Sequence, residues 1–137
     1  ILNGGKNLDE MIAKRLDIDF LTAERYKRAY GLDNSNGYSD GIKEHISSCI
    51  QEYLGEILRN VKRSLEFYVS RCGGQEVQRI FFIGGGSGLN GLKEFSESIM
   101  EIPAYTVDMM DFSNLEFESN LDSDKIRYLI NAVGIAM

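Results

Sequence analysis

The sequence predicts a mixed α/β fold, in which a long helix and a short parallel strand accompany a glycine-rich loop. Hydrophobic residues make up 43% of the 137 positions and charged residues 26%, as is usual for a globular domain. Apolar residues recur at helical spacing across positions 42–68. The run at positions 80–83 is continuously apolar, as in parallel strands that are covered on both faces. Together these observations favour helices layered against a small sheet.

Two short helices are predicted near the amino terminus. Asn7 is a suitable N-cap, with Glu10 three residues later as its capping-box partner. Asp19 can cap a second helix, which Gly31 can end because glycine readily adopts a left-handed conformation. The polar run 33–37 is typical of a loop, so the residues before it are predicted to form a small helical unit.

The remaining elements are a long helix and then an alternation of strand and helix. The long helix, about thirty residues and roughly 45 Å in length, is predicted from residue 39 or 40 to the glycine pair at 73–74. The strand at 80–83 comes next, followed by the glycine loop and a helix that runs to about Met100. A second strand is predicted at 104–107, and a last amphipathic helix around 126–133.

The glycine-rich loop after the first strand is the leading candidate for a binding site. Its candidate residues are Gly84, Gly85, Gly86, Ser87, Leu89 and Asn90. A strand, a glycine turn and a helix in this order bring backbone N–H groups and the positive end of a helix to an anionic ligand. Glycine also leaves no Cβ to hold that ligand away. The loop therefore predicts a nucleotide site, with a tight turn that binds nothing as the alternative.

A second candidate site lies on the second helix, where Glu24, Lys27 and Arg28 share one face. A carboxylate there can accept a hydrogen bond from a ribose hydroxyl, and the cations can lie beside a phosphate. The same spacing also suits a solvated ion pair within the helix. The spacing alone leaves both interpretations open.

Composition argues against several other classes of protein. The net charge is -6, and residues 71–137 carry 10 acidic against 5 basic side chains, which disfavours nucleic acid as a partner. No apolar run has the roughly 18 residues of a spanning helix. Two cysteines and one histidine provide neither a metal site nor a catalytic base, so no catalytic residue is predicted. A dinucleotide fingerprint ending at Asp108 is a remote alternative, because too few residues follow it for that fold.

The order of the motifs resembles the actin/Hsp70-type ATPase superfamily and, within it, the PilM proteins of type IV pilus assembly. The resemblance rests on five segments: the diglycine element at 2–9, the charged helix at 23–28, the long helix at 56–68, the glycine loop at 83–92 and the closing segment at 132–136. It implies a partial actin-like, ribonuclease-H-like fold. Residues 4–38 would form a small helical subdomain IIB, and residues 1–3 and 39–137 an α/β subdomain IIA.

The resemblance also implies a ligand. ATP would lie with its ribose near Glu24 and Lys27, with Arg28 beside them, and with its adenosine at the glycine loop. By the same resemblance, the phosphate loops and the carboxylate for the attacking water lie upstream of residue 1. Mg²⁺ would therefore be held mainly by an N-terminal half. We expect the chain to be excised from a larger protein and to have no catalytic activity alone.

Partners and location follow from the same resemblance. The expected partners are the N-terminal half of the same protein and pilus inner-membrane platform proteins, whose PilN-like cytoplasmic tail would bind outside this chain. Self-association is a further expectation. The protein would act as a cytoplasmic scaffold, peripheral to the inner face of the cell membrane. The alternative is a module of an FtsA-, MreB- or chaperone-type ATPase, which would serve cell division, cell shape or client binding.

Overall fold

A computed structural model describes residues 4–32, 41–71, 73–74 and 76–106 of the chain. Within these ranges the order of elements is α1 (Gly5–Leu16), α2 (Phe20–Tyr30), α3 (Gly41–Arg71), β1 (Ile80–Phe82), α4 (Leu92–Met100) and β2 (Ala104–Thr106). A short 3-10 turn, Gly85–Gly88, separates β1 from α4. The predicted loop at 33–37 and the predicted last helix around 126–133 lie outside the described residues.

The ends of the first two helices follow from their capping residues. Gly4 is the N-cap of α1 and makes no side-chain hydrogen bond, so α1 already includes Asn7 and the predicted cap at Asn7 is wrong. The N–H of Asn7 donates instead to the Gly4 carbonyl at 3.1 Å. Asp19 caps α2 as predicted, because its carboxylate accepts a hydrogen bond from the Thr22 N–H at 3.0 Å. Gly31 ends α2 with a φ of 56°.

The core lies between the first three helices. Ile12 of α1, Ala23 of α2 and Ile46 of α3 are fully buried in it. The buried set is Leu8, Ile12, Ala23, Leu32, Ile46, Cys49 and Ile50. Each helix thus contributes one apolar face, as its sequence spacing predicts. The boundary near residue 38 between two predicted subdomains stays a prediction.

The long helix α3 connects this core to the sheet. It has 31 residues, and the Gly74 N–H closes it by donating to the Val69 carbonyl at 3.1 Å. Lys62 donates from α3 to the Ile99 carbonyl at the end of α4, at 3.1 Å. Among the described helices, none has both the length and the apolar character that are needed to cross a membrane.

The two strands pair in parallel, with Phe81 opposite Tyr105, and α4 is the crossover between them. The Ala104 N–H donates to the Glu97 carboxylate of α4 at 2.9 Å. The parallel arrangement is as predicted. The prediction that the first strand is covered on both faces is wrong, because Phe81 is 52% and Ile83 is 48% exposed. One crossover helix covers one face of the pair, and the rings of Phe81 and Tyr105 stack together with centroids 5.4 Å apart.

Candidate functional site

The glycine loop is stabilised by hydrogen bonds within its own backbone. Gly84 leaves β1 with a φ of 88°, which favours glycine, and Gly85 begins the 3-10 turn. The Ser87 N–H donates to the Gly84 carbonyl at 3.0 Å, and the Leu89 N–H donates to the Gly86 carbonyl at 3.2 Å. The buried Ser87 hydroxyl also donates to Gly84, at 2.7 Å. The predicted glycine loop is therefore a hydrogen-bonded turn, with part of its backbone already paired.

Gly86 is a glycine that the fold does not require. Its φ is not positive, and a Cβ built on it would meet no heavy atom within 4 Å. Gly84, by contrast, needs glycine because of its backbone conformation. A loop residue that is free to carry a side chain and lacks one leaves its backbone accessible from outside. This accessibility is what an incoming ligand would use.

The start of α4 faces the same loop. Gly91 is its N-cap, with a φ of 77° and no side-chain hydrogen bond to the first turn. The first turn of a helix carries N–H groups without partners inside the helix, and these groups concentrate partial positive charge. The predicted succession of strand, glycine turn and helix is thus present, with the 3-10 turn inserted before the helix.

The end of α2 is docked on the glycine loop. The Leu32 N–H donates to the Asn90 carbonyl at 2.8 Å. A Cβ on Gly31 would lie 2.6 Å from the same carbonyl oxygen and 2.7 Å from the Asn90 Cβ, so only glycine permits this approach. Leu89 packs against the helical core beside this contact. The structure therefore brings the end of α2, the helix that carries the second candidate site, into contact with the glycine loop.

The three charged residues of α2 do not form one cluster. Arg28 pairs with Glu24 at 2.7 Å on the surface, which is the ion pair within the helix that the spacing allowed. Lys27 points across to α1 instead. Its ammonium lies 2.7 Å and 2.8 Å from the two carboxylate oxygens of Asp9 and 3.4 Å from the Gly5 carbonyl. The site prediction for these residues stays a prediction, with Lys27 alone in a buried setting.

Asp9 is a residue that sequence reasoning missed. Its side chain is 5% exposed and that of Lys27 is 15% exposed, so the pair is buried between α1 and α2. A signal existed, because Asp9 lies three residues before Ile12 on the apolar face of α1. A carboxylate on a buried helix face needs a partner, since burying an unpaired charge is very unfavourable. The sequence did not indicate which cation would provide it.

The arrangement presents groups that can bind a ligand. The loop offers backbone groups, one buried hydroxyl and open space, whereas ionisable side chains lie on α1 and α2. In the ranges that the structure describes, no group of three or more His, Cys, Asp or Glu residues is placed to hold a metal ion. Backbone N–H groups and a helix start are the features that recognise phosphate-containing ligands.

These features define a class of α/β proteins in which a glycine loop follows a parallel strand and docks on a helical layer. Within that class, the chain belongs to the family of the type IV pilus assembly protein PilM, whose family model matches residues 2–137. The predicted resemblance to PilM proteins is thereby confirmed. The more detailed assignment to actin-like subdomains stays a prediction.

A solved structure gives the same relationship. The chain resembles one described as a PilM-PilN type IV pilus biogenesis complex, with 27% sequence identity and a TM-score of 0.66. The match covers 97% of this chain and 36% of the other chain, so this chain spans about a third of its structural relative. No curated protein matches the sequence.

Proposed function

We propose that this chain forms the adenosine side of an ATP site in a PilM-type scaffold for type IV pilus assembly. The observation that carries the proposal is Gly86, a glycine that neither backbone conformation nor packing requires. A ligand that approaches the backbone closely is one physical reason for a residue without a Cβ, and Gly86 lies in the loop between β1 and α4 where such a ligand is expected. The adjacent helix start favours an anionic ligand such as a nucleotide.

The second part of the proposal places the ribose beside α2. The contact between Gly31 and Asn90 supports this, because it holds the end of α2 directly against the glycine loop. In the proposal, Glu24 and Lys27 contact the ribose, and Arg28 lies beside them. The triphosphate and its Mg²⁺ would be held mainly by an N-terminal half, so this chain would contribute binding and no catalysis.

The proposed partner is a PilN-like cytoplasmic tail. It is supported by the solved relative, which is described as a complex of PilM with PilN. Because this chain spans only 36% of that relative, the tail is proposed to bind elsewhere in the whole protein. The proposed location is the cytoplasm, at the inner face of the membrane, where such a tail would be reached.

Titration of the full-length protein with Mg-ATP tests the proposal. Gly86→Val should weaken ATP binding at least tenfold, about 1.4 kcal/mol, because the new side chain occupies the space of the ligand. It should leave the melting temperature of the ligand-free protein unchanged, since the Cβ meets no neighbour. The matched control is Gly41→Val, at another glycine with open space around it. This control should bind ATP like the wild type.

The outcomes separate the alternatives. Unchanged ATP affinity in a folded Gly86→Val protein would mean that the loop is a plain turn and that the ATP proposal is wrong. A parallel titration with NAD addresses the dinucleotide alternative. Binding of NAD but not ATP, again lost in Gly86→Val, would favour a dinucleotide site instead.

A further inference from the structure

The buried pair of Asp9 and Lys27 places an ammonium group at a fixed point between two helices. Lysine has a flexible four-carbon stem and usually keeps its charge in water. Here the ammonium donates hydrogen bonds to Asp9 at 2.8 Å and to the Gly5 carbonyl at 3.4 Å. The other Asp9 oxygen also lies 2.7 Å from the ammonium, so three oxygen atoms of α1 surround it, and 15% of the side chain stays exposed.

The position of α1 does not depend on this pair alone. Leu8 and Ile12 anchor α1 in the core, and an exposed ion pair between Arg15 and Glu52, at 2.8 Å, links α1 to α3. Replacing a buried ion pair by apolar side chains is often neutral for stability, so such a pair is a poor device for stability alone. What the carboxylate provides here is a fixed location for the charge of Lys27.

The first turn of α1 is also held from the third helix. The Tyr53 hydroxyl donates to the Gly4 carbonyl at 3.0 Å. Burial raises the pKa of Tyr53, so this hydroxyl keeps its proton and remains a donor. Gly5, one of the two acceptors around Lys27, is thus part of a turn that α3 keeps in place. One of the groups that bind the ammonium is therefore held in place by α3.

The C-terminal end of α2, whose last turn includes Lys27, is fixed to the glycine loop. The Gly31 N–H donates to the Lys27 carbonyl at 3.0 Å, so Lys27 lies one helical turn before the contact with Asn90. The last turn of α2 therefore contains the lysine that pairs with Asp9 on α1, and the residues that directly follow this turn contact the loop.

We propose that Asp9 is a positioning residue for nucleotide binding, which acts through Lys27 by fixing the position of its ammonium group. The inference rests on the proposed ATP site and adds a residue to it. Asp9 does not touch the nucleotide. Its carboxylate fixes the charge that does, so the effect of Asp9 on affinity should disappear when Lys27 is absent.

A double-mutant cycle on the full-length protein tests this dependence. Lys27→Met and Asp9→Asn should each weaken Mg-ATP binding about five- to tenfold, and the double variant should bind no more weakly than Lys27→Met alone. The matched control is Glu52→Gln, which makes the same chemical change in the ion pair between α1 and α3. It should bind ATP like the wild type. Circular dichroism of each variant verifies folding.

A second set of variants covers the case in which Asp9→Asn or Lys27→Met, each of which leaves a buried charge without its partner, does not fold. Asp9→Glu keeps the charge and shifts the carboxylate by one methylene, so it should fold and bind ATP with intermediate affinity. Asp9→Leu combined with Lys27→Met replaces the pair by apolar side chains, so it should fold and bind ATP about five- to tenfold more weakly than the wild type.

The outcomes distinguish the two proposals. Wild-type protein that does not bind ATP would overturn the ATP site and this inference with it. Binding that is weakened by Lys27→Met but not by Asp9→Asn or Asp9→Glu would overturn this inference alone. So would losses that add in the double variant, because Asp9 would then act independently of Lys27. Wild-type affinity in the variant Asp9→Leu with Lys27→Met would also overturn it, because the role of the pair would then be purely structural. Unchanged binding in Lys27→Met would also overturn this inference, because Asp9 is proposed to act through Lys27.

Discussion

Lys27, a residue of the proposed site, also meets a structural requirement. Its neighbour Arg28 forms a surface ion pair with Glu24, which contributes little to stability. Lys27 instead compensates a carboxylate that is almost completely buried. One oxygen of Asp9 makes no hydrogen bond among the described residues, although the ammonium lies 2.7 Å from it. The stability of this region therefore depends on the charge of a single lysine.

Removing that charge should destabilise the protein. Lys27→Ala leaves the Asp9 carboxylate buried without a cation, and we expect a loss of about 3–5 kcal/mol in the free energy of unfolding. The double variant Asp9→Leu with Lys27→Met should recover most of it, because an apolar pair replaces an ionic one. Chemical denaturation of both variants without nucleotide measures the difference. A double variant as unstable as Lys27→Ala would contradict this explanation.

Asp19 provides a prediction about pH. The Thr22 hydroxyl donates to its carboxylate at 2.6 Å, and this bond together with the Thr22 N–H lowers the pKa of Asp19. A group with a lowered pKa in the folded state stabilises it above the unfolded-state pKa, and this contribution is lost as the pH falls through the folded-state value. Below about pH 4 the wild type should therefore lose more stability than Asp19→Asn, which caps without a charge. Melting curves across acidic pH check this, and equal slopes would contradict it.

At the scale of elements, local sequence rules predicted the ends of α2 and the spacing of apolar residues along α3. Asp19 and Gly31 define α2 as their residue types indicate, and the apolar spacing of α3 extends over the observed 31 residues. The start of α1 was misplaced because Gly4 caps it without a side chain, which leaves no sequence signal. The partner of Asp9 and the exposure of Phe81 were not predictable. Both depend on which surfaces meet in three dimensions, and periodicity does not encode this.

The contact between α2 and the glycine loop yields a prediction at the same scale. Gly31→Ala places a methyl group 2.6 Å from the Asn90 carbonyl and should break the Leu32–Asn90 hydrogen bond. We expect faster hydrogen exchange at the Leu32 amide, weaker ATP binding and a loss of about 1–3 kcal/mol in stability. The control is Gly73→Ala, where φ is also positive at 68° but nothing lies within 4 Å of the Cβ. If this control showed the same loss of ATP binding, backbone strain and not the contact would be responsible.

At the scale of the whole molecule, the limited coverage of the structural relative sets expectations for the chain by itself. The buried core of α1, α2 and α3 should let the 137-residue chain fold. ATP should bind no tighter than about 1 mM, roughly 4 kcal/mol, because in the proposal only one side of the cleft is present. Phosphate release should be absent, since phosphoryl transfer needs cations and a positioned water around the γ-phosphate. Magnesium-dependent phosphate release by the purified chain, lost in Gly86→Val, would contradict this view.

The hydrogen bond between Leu32 and Asn90 also has a consequence for the order in which the chain folds during synthesis. The buried residues of the helical core end in sequence at Ile50, and Asn90 is synthesised 40 residues later. At typical synthesis rates this interval is about 2–8 s, far longer than a helical bundle needs to form. On the ribosome, α1, α2 and the first half of α3 can therefore pack before the glycine loop exists. The loop then folds against a helical surface that has already formed. Gly31 is the residue of that surface that contacts the loop.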